Sequence, residues 1–323
     1  MKVLVTSVPF GELPGCASLN LLETAGLKYQ LNPFGRRLTE GDLIDLLDGI
    51  SILLAGTEPI TARVMDAAPG LKLVARVGIG LDNVDLQAAR KRGIAVTYTP
   101  DAPSAAVAEM TVGLMLDLLR NISRADRMMH SKKWNRFLGR RLDGLTIGVV
   151  GVGRVGKRVI RILRGGFPHV TILANDIEPD FACGREHRLK WLDKPKLYAE
   201  SDILTLHIPL TRMTRRLIGE REISNMKPSA LIINTSRGEI VDENALAAAL
   251  RAERLGGAAI DVYEDEPYTG ILTEVENCVL TCHMGSMSID CRAAMEIEAV
   301  QDVLRFVRGE PLKQPVPEWA YLT

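Results

Sequence analysis

Leu145-Thr146-Ile147-Gly148-Val149-Val150-Gly151-Val152-Gly153-Arg154-Val155-Gly156 decides the fold of this chain. A short apolar run of strand type leads into three glycines, and Val155, Val159, Ile160 and Leu163 then recur at helical spacing. The order strand, glycine turn, helix is that of a dinucleotide-binding turn. Gly151 permits the tight turn, Gly153 leaves room for a pyrophosphate against the backbone, and Gly156 lets the helix pack closely on the strand. The amides at the positive end of that helix, where Arg154 and Val155 stand, then face the phosphates.

Glycines also gather in ordinary turns, so a second signal is needed. Asp176 supplies it. It follows a second strand, Val170 to Asn175, about 20 residues beyond the turn, where a carboxylate accepts the ribose hydroxyls of the adenosine half. Ile177 and Glu178 come next, with no adjacent arginine or lysine for a 2′-phosphate, which favours NAD over NADP.

The turn lies near the middle of 323 residues, which implies a further domain ahead of it. Forty basic residues balance forty acidic ones, so no global field recruits nucleic acid or an anionic membrane, and the expected partner is a small molecule. No apolar run reaches the roughly 18 residues of a membrane span, and Met1 to Val5 begins directly with a strand, so a cytoplasmic protein is expected. Cys16, Cys183, Cys278, Cys282 and Cys291 are scattered and odd in number, which reads as reduced thiols.

Strands are predicted at Val3 to Thr6, Ile50 to Ala55, Leu71 to Val77 and Ile94 to Tyr98, with helices such as Ala62 to Ala67 and Leu86 to Arg92 between them. Thr99 to Ser104 breaks this pattern and offers a helix start. The helix from Ala105 to Arg120 is apolar on nearly every face, interrupted by Glu109, Thr111 and Asp117, which predicts burial on several sides and a second subunit against one of them. A second series follows at Ile203 to Leu206, Leu231 to Asn234, Ala258 to Val262 and Val279 to Thr281, with a helix at Glu243 to Arg251 and a last one over Ile289 to Arg308 that returns to the first domain. The expected fold is α/β, two Rossmann-like or flavodoxin-like domains with doubly wound parallel sheets. A discontinuous substrate-binding domain takes 1–98 and 290–323, and an NAD-binding domain takes 99–289.

Three later segments each carry a reactive side chain at a strand end, where ligands of open α/β sheets bind. They are Asn234-Thr235-Ser236-Arg237-Gly238, Asp261-Val262-Tyr263-Glu264-Asp265-Glu266-Pro267 and Thr281-Cys282-His283-Met284-Gly285-Ser286. Together with Gly78-Ile79-Gly80-Leu81-Asp82-Asn83-Val84-Asp85 and Ala106-Val107-Ala108-Glu109, in this order, the chain resembles the D-isomer-specific 2-hydroxyacid dehydrogenases, near their phosphoglycerate dehydrogenase and hydroxypyruvate reductase members, over essentially its whole length.

The resemblance implies hydride transfer between NAD and a small D-2-hydroxy acid or 2-keto acid, in a cleft between two domains of a homodimer. It assigns His283 as the proton donor that the growing negative charge on a ketone oxygen needs. Glu266, the glutamate of the Glu-Pro pair, orients that imidazole, although Glu264 and Asp265 crowd it. Arg237 offers a planar fork to the substrate carboxylate. Arg154 and Val155 would lie along the pyrophosphate, Ile208, Thr235 and Ser236 along the cofactor, Asp261 and Gly285 near the nicotinamide, and the amides of Gly78 and Ile79 at the substrate carboxylate. His207 reads as structural or cofactor-lining.

Three departures from the family bear on substrate, control and the turn before His283. Phosphoglycerate-specific relatives carry a basic residue after the second sheet strand, where this chain has Ala55-Gly56-Thr57-Glu58-Pro59, which puts a phosphorylated substrate in doubt unless Arg76 intervenes. The chain ends at Thr323, short of an appended serine-sensing domain, and Cys282 stands where relatives commonly have proline. The same resemblance admits a nicotinamide-sensing corepressor-like binding protein, or a dehydrogenase of phosphite or formate type.

Overall fold

The structure, a computed structural model, describes residues 1–13 and 17–321 and divides into two compact units, Met1–Pro103 with Met287–Thr323, and Ser104–Ser286. Cys16 lies outside the described residues. No helix among the described residues is long and apolar enough to cross a membrane.

The first unit runs β1 (Lys2–Val5), α1 (Ser18–Thr24), β2 (Lys28–Leu31), α2 (Glu40–Leu46), β3 (Ile52–Ala55), α3 (Ala62–Asp66), β4 (Leu73–Arg76), α4 (Leu86–Lys91) and β5 (Ala95–Thr97). Its sheet is wholly parallel, in the order β2-β1-β3-β4-β5. Strands β3 and β4 are buried at every residue, as parallel strands covered on both faces must be. Leu4, Leu53 and Val74 pack with Leu43, Leu47, Val64 and Ala89 from the helices on one face, and each fully buried leucine contributes about 2 kcal/mol.

Three elements here, α1, β2 and α2, escaped the sequence reading, the last two for identifiable reasons. Strand β2 is an edge strand with no buried residue, so it has no apolar alternation to detect. Helix α2 carried a readable signal in Thr39 and Asp42: the Thr39 hydroxyl accepts from the Asp42 N–H, and the Asp42 carboxylate accepts from the Thr39 N–H at 2.8 Å.

The second unit begins with α5 (Pro103–Arg120) and α6 (Ile122–His130) and continues through β6 (Thr146–Val150), α7 (Arg154–Gly166), β7 (Thr171–Asn175), α8 (Phe181–Glu186), β8 (Lys190–Trp191), α9 (Lys194–Glu200), β9 (Ile203–Leu206), α10 (Glu220–Ser224), β10 (Leu231–Asn234), α11 (Glu243–Arg251), β11 (Gly257–Ile260) and β12 (Cys278–Leu280). Seven parallel strands stand in the order β12-β11-β10-β9-β6-β7-β8, which reverses direction between β6 and β9. That reversal is the topological switch point, where a crevice opens at the carboxyl ends of the strands.

Apolar layers cover both faces of this sheet. Val159, Ile160 and Leu163 of α7 pack on one side with Ala108, Val112 and Met115 of α5, while Leu246, Ala247 and Leu250 of α11 pack on the other. Glu109 and Gly113 face outward from α5, and the polar Thr111 is buried because its hydroxyl meets that of Thr235 at 2.9 Å. The last helix, α12 (Ile289–Val307), belongs to the first unit and packs on α1, β3 and β4.

Candidate active site

The switch point holds the glycine turn. Gly151 has φ +93°, its N–H donates to the Asn175 carbonyl at 2.9 Å, and a Cβ there would overlap the His207 carbonyl. A Cβ on Gly156 would in turn overlap the Gly151 carbonyl, so only glycine brings α7 this close to the strand end. At Gly153, the residue before the first turn of α7, a Cβ would meet nothing within 4 Å. Open space therefore lies ahead of the helix amides of Arg154 and Val155, where an anion is favoured by the helix dipole.

Asp176 stands beside this turn. Its Oδ2 accepts from the Val152 N–H at 2.6 Å and its Oδ1 from the Glu178 N–H at 3.0 Å, which fixes the half-buried carboxylate beside the glycines. On the neighbouring strand His207 packs its carbonyl against Gly151, and its Nε2 lies 3.0 Å from the Thr205 hydroxyl. Burial pushes the His207 imidazole down to about 3, so it is neutral at physiological pH and brings no charge to the crevice. Ile208 follows it, half-buried at the same strand end.

Strands β10, β11 and β12 end side by side, and their loops are bonded to one another. Asn234, fully buried at the end of β10, donates from Nδ2 to the Arg237 carbonyl at 2.8 Å and accepts from the Ser236 N–H and hydroxyl. Gly238 lies against the Tyr263 backbone so closely that any Cβ would overlap it. The Tyr263 N–H donates to Glu266 Oε1 at 3.1 Å, and the two Glu266 oxygens stand 2.8 and 3.0 Å from His283 Nδ1. Arg237, half-buried, donates from Nη1 to the Ser236 carbonyl at 2.7 Å.

His283 takes φ +50°, a conformation unusual for a residue with a side chain. Its loop is pinned by buried Asp261, which accepts from the Thr281 hydroxyl at 2.6 Å and from the Met284 and Gly285 N–H groups at 2.9 Å each. The His283 N–H itself donates to the Asp261 carbonyl at 2.7 Å. With Nδ1 turned to Glu266, Nε2 is the nitrogen left to meet a ligand, and it makes no hydrogen bond among the described residues.

Glu264 and Asp265 are both exposed, and Glu264 faces Arg216 at 3.6 Å, so Glu266 is the acidic residue of this segment that holds the imidazole. Asn234 and Thr111 were missed as members of this cluster; the detectable signal was a polar residue closing the apolar run Leu231-Ile232-Ile233. Of the described cysteines, Cys183, Cys278 and Cys291 are buried and Cys282 is exposed beside His283. Burial pushes the Cys278 thiol up to about 12 and that of Cys291 to about 11, which leaves both protonated.

Within the first unit, Gly78 and Ile79 follow the end of β4. Gly78 has φ +148°, its N–H donates to the Arg76 carbonyl at 3.1 Å, and a Cβ would stand 2.5 Å from Arg76 Nη1. The Gly78 amide is thus already used within the turn. The neighbouring Ile79 N–H makes no hydrogen bond among the described residues, and its residue is half-buried.

A family model described as D-isomer specific 2-hydroxyacid dehydrogenase, NAD binding domain, matches residues 112–285. A glyoxylate reductase of Thermofilum pendens is 39% identical over 277 residues, which cover 83% of this chain and 81% of that protein. A D-3-phosphoglycerate dehydrogenase of Methanocaldococcus jannaschii is 35% identical over 279 residues, 84% of this chain but only 53% of that longer protein. Among solved structures, the NAD-dependent formate dehydrogenase of Staphylococcus aureus in complex with NAD superposes with a TM-score of 0.84 at 26% identity, covering 98% of this chain and 99% of that one.

Proposed function

This chain belongs to the D-isomer specific 2-hydroxyacid dehydrogenase family, and from that premise we propose that His283, Glu266 and Arg237 carry an NAD-dependent interconversion of a small 2-keto acid and its D-2-hydroxy acid. The protein is an NAD-dependent oxidoreductase acting on the CH-OH group of such acids. NADH supplies a hydride from its nicotinamide to the ketone carbon. The chain's own part is to bind, orient and move a proton.

The observation that carries this reading is the Glu266 to His283 contact at 2.8 Å. The carboxylate accepts at Nδ1 and stabilises the imidazolium, which leaves Nε2–H to donate to the ketone oxygen as negative charge grows there. In the oxidative direction the same nitrogen takes the proton back. Arg237 would grip the substrate carboxylate with its planar fork. Thr235, Ser236, Ile208, Asp261 and Gly285 would line the cofactor, with the phosphates at Gly153, Arg154 and Val155 and the adenosine ribose on Asp176.

The direct test follows NADH absorbance with purified protein and glyoxylate, hydroxypyruvate or pyruvate. Loss of NADH with at least one is expected, and a flat trace with all of them sinks the proposal. For the adenosine side, Asp176→Ala is expected to raise the Kd for NADH about tenfold, because a hydrogen bond to a charged group contributes about 1.5–3 kcal/mol. Fluorescence titration with NADH and NADPH checks this, and an unchanged Kd removes Asp176 from the site.

The proposed assembly is a homodimer in the cytoplasm. Ile122, Met129, Trp134 and Leu138, in α6 and the segment after it, are large apolar side chains left exposed, of the kind that self-association covers. Light scattering after gel filtration should give twice 35.4 kDa. A monomer mass would refute the dimer.

A further inference from the structure

We propose that Tyr263 is a positioning residue for proton donation: its buried hydroxyl, bonded to the Thr281 carbonyl, holds the turn that carries His283 in register with Glu266. This rests on the dehydrogenase reading above and adds to it a residue that acts through the loops on either side of it.

Tyr263 meets all three strand-end segments. Its backbone lies against Gly238, the residue after Arg237, and its N–H donates to Glu266 Oε1 at 3.1 Å. Its hydroxyl reaches across to the Thr281 carbonyl at 2.8 Å and to the Ile260 carbonyl at 3.0 Å. One hydroxyl hydrogen serves both acceptors, and the shorter contact runs to Thr281. The ring is placed for this by stacking on Tyr268, with centroids 4.1 Å apart and planes 15° apart. Burial pushes the Tyr263 phenol well above its ordinary range, so the hydroxyl keeps its proton and stays a donor.

The two acceptors differ in what else holds them. The Ile260 carbonyl already accepts from the Thr281 N–H at 3.0 Å, a rung that continues the ladder between β11 and β12. The Thr281 carbonyl accepts from no other donor among the described residues. Beyond it the chain leaves the sheet. Cys282 is exposed, its N–H makes no hydrogen bond among the described residues, and His283 then turns to φ +50°. Asp261 holds the Thr281 hydroxyl on one side of this bend and the N–H groups of His283, Met284 and Gly285 on the other. Between those attachments stands the Thr281–Cys282 peptide, and the Tyr263 hydroxyl is what fixes its carbonyl.

Without that hydroxyl the peptide is free to rotate, and the imidazole follows it, while Glu266 stays tied to the Tyr263 N–H. The 2.8 Å contact between Glu266 and His283 is then loosened from the histidine side. A displacement of about 1 Å in a reacting group costs on the order of 100-fold in rate, so a partial loosening is read in kcat. Cofactor binding at the glycine turn is spared, because that turn ends β6, beyond β10 and β9 in the sheet. A proline at position 282 would supply the missing restraint by another route. Its ring fixes φ near about −65°, and no hydrogen bond is lost with the Cys282 N–H. Thr281, whose N–H continues the ladder, already follows the extended course that a residue before proline adopts.

The experiment compares the natural protein, Tyr263→Phe, Cys282→Pro and the double variant by kcat, Kd for NADH and melting temperature, with whichever of glyoxylate, hydroxypyruvate or pyruvate the natural protein turns over. Tyr263→Phe keeps the stacked ring and the N–H to Glu266 and removes the hydroxyl alone. Its kcat is expected to fall about tenfold with the Kd for NADH unchanged, a result that supports the inference even if Cys282→Pro fails to fold. In the Cys282→Pro background the same exchange should cost about threefold or less, and the ratio between the two proline proteins cancels whatever the proline does by itself. A Tyr263→Phe kcat within about twofold of the natural protein overturns the inference, whatever the proline variants do. So does a loss equal in both backgrounds, or one accompanied by a matching rise in the Kd for NADH, since either marks general loosening and not the turn. Absence of turnover by the natural protein with all three acids is a different result, which overturns the dehydrogenase reading itself.

Discussion

Replacing His283 with asparagine is expected to leave the Kd for NADH unchanged while kcat for a 2-keto acid falls by about 100-fold or more, the usual contribution of a positioned proton donor. Asparagine fits the loop because it tolerates a positive φ better than most residues, and the backbone N–H that donates to the Asp261 carbonyl remains. What it lacks is a nitrogen that can be protonated while bonded to Glu266. The companion variant Glu266→Gln should lose part of the same rate, since the amide oxygen can accept from Nδ1 but carries no charge to stabilise the imidazolium. Single-turnover kinetics with NADH already bound separates these effects from cofactor binding. A His283→Asn enzyme with kcat within threefold of the parent would end the proton assignment.

The second large effect is expected at a residue with no side chain. Gly238→Ala drives a Cβ into the Tyr263 backbone, where no rotamer can relieve the overlap, and the strand-end loops must separate. Overpacking of this kind costs about 3 kcal/mol, and a displacement of about 1 Å in a reacting group costs on the order of 100-fold in rate. Both should appear together, as a lower melting temperature and a collapse of kcat/KM. Gly153→Ala is the contrast. Its φ of −80° suits alanine and its Cβ would meet open space, so the variant should fold normally and lose affinity for NADH alone. If the two variants behave alike, the distinction between a glycine required by packing and one required by a ligand fails.

The glycine turn and Asp176 were legible from the spacing of one strand, its turn and the strand that follows, whereas Glu266 and His283, 17 positions apart after two different strands, were assigned by the family resemblance. Six of the seven strands of the second sheet followed from the same kind of run, and the seventh, the edge strand β8, Lys190–Trp191, is too short to leave a pattern. Helix α11 was read to the residue because Asp242 caps it and its buried face, Leu246, Ala247 and Leu250, keeps helical spacing. What the sequence hid were relations across long separations. Nothing near Thr111 indicates that its hydroxyl will find Thr235, 124 positions away, and nothing near Gly238 points to Tyr263. Glu58 was read as a charge beside a substrate phosphate, whereas its side chain is buried and turned inward onto Thr6 and Gly56.

Asp261 gives the imidazole loop four attachments before any ligand arrives. The imidazole proposed to carry a proton is thus a fixed fitting of the second unit alone, set in place without a substrate to position it.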